Sequence, residues 1–192
     1  MRKIGLIAIV ISQGLFAQST DYTPIENRKH EVRFDAIRMI ADSEARFTYE
    51  YVGDDSAGYG VYIRMGFKDF NSQMKKQSYY EDTKRNDIVI SPFYRFYFSK
   101  EKSLESRGFF VDGSLDIIRA TQRVYINRNP NVPLDYSEKT ETNVGIGFGL
   151  GWKWVNSKGI ILDLHLGIGR NFSSDSFNDF YKKGGISVGY RF

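Results

Sequence analysis

The chain has 192 residues, no cysteine and a net charge of +4, with a pI near 9.1. Its hydrophobic content of 41% suffices for one domain with a core, but no run approaches the roughly 18 apolar residues of a helical membrane span. Without cysteine there is no disulfide, no thiol nucleophile and no lipidated Cys anchor. The charge is mixed in sign with no dense Lys/Arg run, which argues against a nucleic-acid surface.

Met1-Arg2-Lys3 followed by Ile4 through Phe16 is a basic segment and a short apolar core ending at Ala17, the pattern of a secretory signal peptide over residues 1–17. Leu15, three places before that cut, is bulkier than the usual small residue. Cleavage after Ala17 would leave 192 − 17 = 175 residues and remove Arg2 and Lys3. Residues 18–29 are polar, contain Pro24 and predict a flexible leader.

From residue 30 to residue 192 the chain alternates. The first strand is expected over His30 to Ile40, with Val32, Phe34 and Ala36 on one face and Arg33 and Asp35 on the other. Arg38 breaks the phase, so either a bulge near Ala36-Ile37 resets it or the side chain snorkels at a membrane edge. Ala41-Asp42-Ser43 then makes a tight connection. Glu44 to Val52 sets Ala45, Phe47, Tyr49 and Tyr51 against Arg46, Thr48 and Glu50. After the turn Gly53-Asp54-Asp55-Ser56, a third strand alternates Tyr59, Val61, Ile63, Met65 and Phe67 with Gly60, Tyr62, Arg64, Gly66 and Lys68.

A polar loop follows to about Asn86. The fourth strand presents Ile88, Ile90, Pro92, Tyr94, Phe96 and Phe98 against Ser91, Arg95 and Tyr97, and Pro92 makes it the least regular, since it removes one ladder donor. The fifth carries Phe109, Val111, Leu115 and Ile117 against Asp112, Ser114 and Asp116. Ala120 to Thr140 is expected to be the longest loop, with Pro130 and Pro133 inside it.

Two long segments, Val144 to Trp154 and Ile160 to Arg170, then join through Asn156-Ser157-Lys158-Gly159 as a β-hairpin. Asn171 to Lys183 is expected to be another long loop. Gly185 to Phe192 closes the chain with Ile186, Val188, Tyr190 and Phe192 against Ser187, Gly189 and Arg191.

The hairpin decides which way the faces point. One face carries Val144, Ile146, Phe148, Leu150, Trp152 and Trp154; the other carries Gly145, Gly147, Gly149, Gly151 and Lys153. A soluble sheet packs bulk inward, and a row of glycines builds no core. The arrangement is therefore inverted, with large side chains toward lipid and small or charged ones toward a barrel interior, as in transmembrane strands of about 9–11 residues. The fold class expected is all-β: an eight-stranded antiparallel up-and-down transmembrane barrel with a polar, filled interior.

The connections support this reading, because the second, fourth and sixth are short and the third, fifth and seventh long; the first, also short, is the exception. The leader then lies on the short-turn, periplasmic side. Tyr51, Tyr59, Phe96, Phe98, Phe109, Trp152, Trp154, Tyr190 and Phe192 all map to that end as an aromatic girdle. Arg33, Asp35, Arg46, Glu50, Arg64, Arg95, Asp112, Asp116, Lys153, Asp163, His165 and Arg191 point inward as a polar network of both signs. The glycines of the sixth strand leave room for long neighbours, so the barrel is expected to be plugged.

The terminal stretch Gly184-Gly185-Ile186-Ser187-Val188-Gly189-Tyr190-Arg191-Phe192 resembles the last strand of bacterial outer-membrane proteins. With Ser91-Pro92-Phe93-Tyr94-Arg95-Phe96-Tyr97-Phe98, Gly147-Phe148-Gly149-Leu150-Gly151-Trp152-Lys153-Trp154 and Gly167-Ile168-Gly169-Arg170-Asn171-Phe172, the pattern is similar to small outer-membrane barrels of a Bacteroidota family of unknown function, akin to the OmpA transmembrane domain. That resemblance implies a Gram-negative outer membrane and recognition of the last strand by the barrel assembly machinery. It implies no particular activity.

Candidate chemistry is sparse. His165 beside Asp163 could act as a base in an outer-membrane lipid-modifying enzyme, with Ser114 or Ser187 as nucleophile. The alternative is a satisfied interior cluster. His30 is expected to be solvated. Two distant histidines without cysteine offer no closed metal set, and Asp54-Asp55 and Asp175 to Asp179 lack EF-hand spacing. The Gly-x-Gly runs lie within strands, so they are not dinucleotide loops, and no cofactor is expected. Tyr79, Tyr80, Tyr125 and Tyr136 offer loop surface for a protein or glycan partner. A secreted lipocalin-like carrier with an apolar cavity is a further alternative.

Overall fold

A computed structural model describes residues 24–35, 44–53, 56–66, 86–98, 107–125, 136–172 and 180–192. A short 3-10 turn, Ile25–Asn27, precedes eight strands: β1 His30–Phe34, β2 Glu44–Val52, β3 Ala57–Gly66, β4 Asn86–Tyr97, β5 Gly108–Tyr125, β6 Tyr136–Val155, β7 Ile160–Asn171 and β8 Phe180–Arg191. Each pairs antiparallel with the next, and β1 pairs with β8, so the sheet closes into an up-and-down barrel.

The registers set its shape. One line of paired residues runs His30, Tyr51, Tyr59, Tyr94, Gly113, Phe148, Ile168 and Lys182. Between β8 and β1, Val188 faces Phe34, four residues from His30, and Lys182 stands six further along β8. The circuit thus closes with a stagger of ten residues, which tilts the strands about 40° from the axis. With strands ~4.8 Å apart, Lys182 lies roughly 20 Å along the axis from His30.

Several expectations are corrected. Residues 120–125 and 136–140 are strand where a long loop was expected: β5 and β6 continue as a ribbon to Tyr125 opposite Tyr136. Apolar alternation stops there, so periodicity is blind to it, but backbone pairing persists and Thr121 and Thr140 hydrogen-bond across it at 3.0 Å. β8 begins at Phe180, so residues 180–183 belong to the sheet and not to a loop.

β1 ends at Phe34, although the Asp35 amide still donates to the Arg46 carbonyl at 3.1 Å. The proposed bulge at 36–37 and the tight connection at 41–43 lie outside the described residues, as do the signal peptide and residues 18–23 of the leader. Residues 24–29, expected as loose leader, are held: the Val52 amide donates to the Lys29 carbonyl, and the Arg28 guanidinium donates to the Lys158 carbonyl and the Tyr190 hydroxyl. As expected, Pro92 marks an interruption in the ladder of β4. It faces outward opposite Val61, and on the β5 side the ladder skips two positions, resuming from Ile90 opposite Ile117 to Phe93 opposite Ser114.

Candidate functional site

The two faces of the sheet differ as the alternation requires. Phe148 and Leu166 are 64% and 69% exposed, whereas Arg95 and Lys153 are 0% and 1% exposed. Bulk hydrocarbon covers the outside, and the ions are inside. A soluble fold has the opposite distribution, because exposing apolar area to water is unfavourable by about 25 cal/mol per Å².

The lower interior, at the short-turn end, is one ion-pair network. Glu50 is its hub: it accepts from Arg33 at 2.6 Å, from Lys153 at 3.0 Å and from Arg95 at 3.4 Å, and the Tyr97 hydroxyl donates to it as well. Glu31 accepts from Lys153 at 2.9 Å and from Arg191 at 2.7 Å, and pairs with Arg33. Arg95 reaches upward to Asp163 at 2.7 Å and Asp112 at 3.2 Å, lies across the Phe110 ring at 3.6 Å and donates to the Tyr62 hydroxyl.

Four carboxylates (Glu31, Glu50, Asp112, Asp163) therefore meet four cations (Arg33, Arg95, Lys153, Arg191), and the network is neutral. Neutrality matters because an isolated charge costs several kcal/mol to bury. Closure of the barrel makes the meeting possible. Arg95 comes from β4, Asp163 from β7 and Glu50 from β2, joined only across the lumen.

A second cluster lies toward the other end. Lys183 donates to Asp116 at 2.7 Å and to the Ser114 hydroxyl at 2.6 Å, and Ser114 donates to Asp116 at 3.0 Å. The Tyr181 hydroxyl donates to Asp116 too. Here the Lys183 side chain keeps 13% exposure, and an Arg64–Glu44 pair at 3.2 Å is more open still. The glycine row of β6 is the wall against which both clusters pack. A Cβ on Gly147 would meet Ser114 and Lys183, one on Gly149 would meet His165 and Asp112, and one on Gly151 would meet the Phe110 ring.

Of the residues expected inside, Arg33, Asp35, Glu50, Arg95, Asp112, Asp116, Lys153, Asp163, His165 and Arg191 are buried, and Arg46 and Arg64 are half-buried. Sequence reasoning missed Glu31, Phe93 and Phe110, which share the phase of Arg33, Arg95 and Asp112 and were legible by counting in twos. It also missed Tyr181 and Lys183, hidden in the supposed loop.

His165 binds Asp112 through Nε2 at 3.3 Å and stacks on Tyr62 with ring centroids 5.7 Å apart; its Nδ1 has no hydrogen-bond partner. The pairing is with Asp112 and not with its near neighbour in sequence, Asp163, which serves Arg95. The enzyme reading needs a serine on His165. Ser114 instead serves Lys183 and Asp116, and Ser187 lies opposite Asp163. The carrier reading needs an apolar cavity, and the lumen holds ions.

On the outside, the expected girdle residues line the short-turn rim. Tyr59, Phe96, Phe98, Phe109, Trp152, Trp154 and Phe192 are exposed, while Tyr51 and Tyr190 are half-buried. Several of their rings touch in two runs: His30 with Phe192 at 5.8 Å, His30 with Tyr51 at 5.4 Å and Tyr51 with Tyr59 at 5.2 Å, and then Phe96 with Phe98 at 5.1 Å and Phe98 with Phe109 at 5.5 Å. His30, exposed as expected, belongs to this rim and is hydrogen-bonded to the Tyr49 hydroxyl at 2.8 Å.

Fold and surface together define the class: a closed, eight-stranded, antiparallel barrel with an apolar exterior and an ionic, filled interior. Two solved structures are similar to the chain. The N-terminal β-barrel domain of Pseudomonas aeruginosa OprF is 13% identical, with a TM-score of 0.48 over 86% of this chain and 98% of that one. Neisserial surface protein A (NspA) is 12% identical, with a TM-score of 0.48 over 85% of this chain and 93% of that one. No family model and no curated protein matches the chain.

Proposed function

We propose that the chain is an integral outer-membrane barrel of a Gram-negative bacterium, with a structural, surface-binding or accessory-subunit role and no open pore. One observation carries the reading: the large apolar side chains of the strands lie on the outside, while the inward residues between them include a charge-balanced network. Only a lipid surround makes that distribution favourable, since in lipid the exterior is solvated and a closed sheet leaves no backbone group unpaired. The barrel height supports it, as the band between the aromatic rim and Lys182 approaches the ~25 Å apolar belt of such proteins.

The signal peptide over residues 1–17, cleavage at Ala17 and delivery through the assembly machinery reading the strand that ends in Phe192 complete this proposal. So does membership of the Bacteroidota family that the sequence resembles. Tyr125 and Tyr136 end the β5–β6 ribbon, which makes that ribbon the place for a protein or glycan contact. Carbonate washing of membranes tests the central claim. The protein is expected to stay in the membrane pellet and to migrate faster on unboiled gels; release by carbonate would overturn it.

A further inference from the structure

We propose that Arg170 and Lys182, flanked by Phe180, form a binding site on the outer face of the barrel for the phosphate of a lipid headgroup in the leaflet at the long-loop end. The proposal rests on the membrane reading above and adds a ligand and a place. Among the described side chains that point outward from the strands, those of Asp, Glu, Lys or Arg are Arg119, Arg170 and Lys182, and all three are cations. Every one lies near the long-loop end of its strand. None lies at the opposite rim, where outward positions carry the aromatic rings.

Arg170 and Lys182 are diagonal neighbours, since Arg170 faces Phe180 across the β7–β8 ladder and Lys182 faces Ile168. Cross-strand diagonals are ~7–8 Å apart at Cα, within reach of one phosphate for two long side chains. The Arg170 guanidinium lies 5.8 Å from the centroid of the Phe180 ring, which holds it against the sheet. Neither cation has a carboxylate partner among the described residues, in contrast to the ions of the lumen.

Height selects the ligand. Lys182 lies roughly 20 Å along the axis from the aromatic rim, where hydrocarbon gives way to headgroups. An outward Lys or Arg deep in hydrocarbon costs about 2–4 kcal/mol, but near the interface about 0–1. A headgroup phosphate at that level supplies an anion, and Arg binds it bidentately. Charge complementarity thus favours a phosphorylated lipid over a protein partner, which would have to displace lipid from Ile168, Phe180 and Phe172.

Native mass spectrometry of the full chain in non-ionic detergent, titrated with dioleoyl phosphatidic acid or dioleoyl phosphatidylcholine, tests this. Tighter binding of phosphatidic acid, weakening as salt rises, is expected. Each cation near an anionic surface contributes about fivefold, so R170Q/K182Q should lose roughly 25-fold in phosphatidic acid affinity. K158Q, at the opposite end in the β6–β7 turn, should lose none. Equal affinity for the two lipids, an unaffected double variant, or an equal loss in K158Q would each overturn the proposal. Heat-modifiable migration is measured alongside: its absence in the parent chain would remove the membrane reading, whereas equal lipid affinities in a heat-modifiable barrel would remove only this site.

Discussion

The two ends of the lumen are built from the same residue types but are different materials. At the short-turn end, Glu31, Arg33, Glu50, Arg95, Lys153 and Arg191 are at most 1% exposed, and Glu31, Arg33, Glu50, Arg95 and Lys153 each have more than one counter-ion. At the long-loop end, Lys183 relies on Asp116 and Ser114 and retains some solvent, and Arg64 is more open. Burial makes breaking an ion pair costly, because the partner left behind stays shielded from solvent. The lower network is therefore a plug, and the upper cluster is a lining.

The largest effect is expected from Glu50→Ala, which takes one counter-ion at once from Arg33, Arg95 and Lys153 and leaves the buried network with an excess positive charge. A loss of about 3–5 kcal/mol in urea unfolding from lipid vesicles is expected, and a loss below 1 kcal/mol would break the distinction between plug and lining. Next comes Gly151→Val. Even its Cβ meets the Leu164 carbonyl oxygen and the Phe110 ring, with backbone unable to yield, so a cost of about 1–3 kcal/mol follows in the same assay.

Lys183→Gln should cost less, about 1 kcal/mol, since water reaches Asp116's partner and an amide can still donate. A cost equal to that of Glu50→Ala would show that the upper cluster is as dry as the lower. The smallest effect is expected at Gly113. It points outward, a Cβ there meets nothing within 4 Å, and Gly→Ala in a strand removes unfolded-chain entropy. Gly113→Ala should leave stability unchanged or raise it by about 0.5–1 kcal/mol. The contrast with Gly151 separates glycines that make room from a glycine that does not.

Inside and outside were legible at Phe148, Leu150 and Lys153, because the side-chain period of a strand is a local property of the backbone. The same rule placed Arg33, Arg95 and Asp163 in the lumen and the tryptophans on the surface. It failed where amphipathicity ends but pairing does not, in residues 120–125, 136–140 and 180–183, since a backbone ladder needs no hydrophobic pattern.

The residues alone therefore determined the class of the fold, the direction of each face and a lumen of both charges. What only the tertiary structure decided is which ions meet: that His165 answers to Asp112, that Arg95 joins Asp163 across the lumen, and that Lys183 reaches Asp116. Those meetings follow from the stagger of ten, a property of the closed circuit of eight strands. No single strand carries that information, because sliding one register by two residues preserves every inward and outward position while changing every partner.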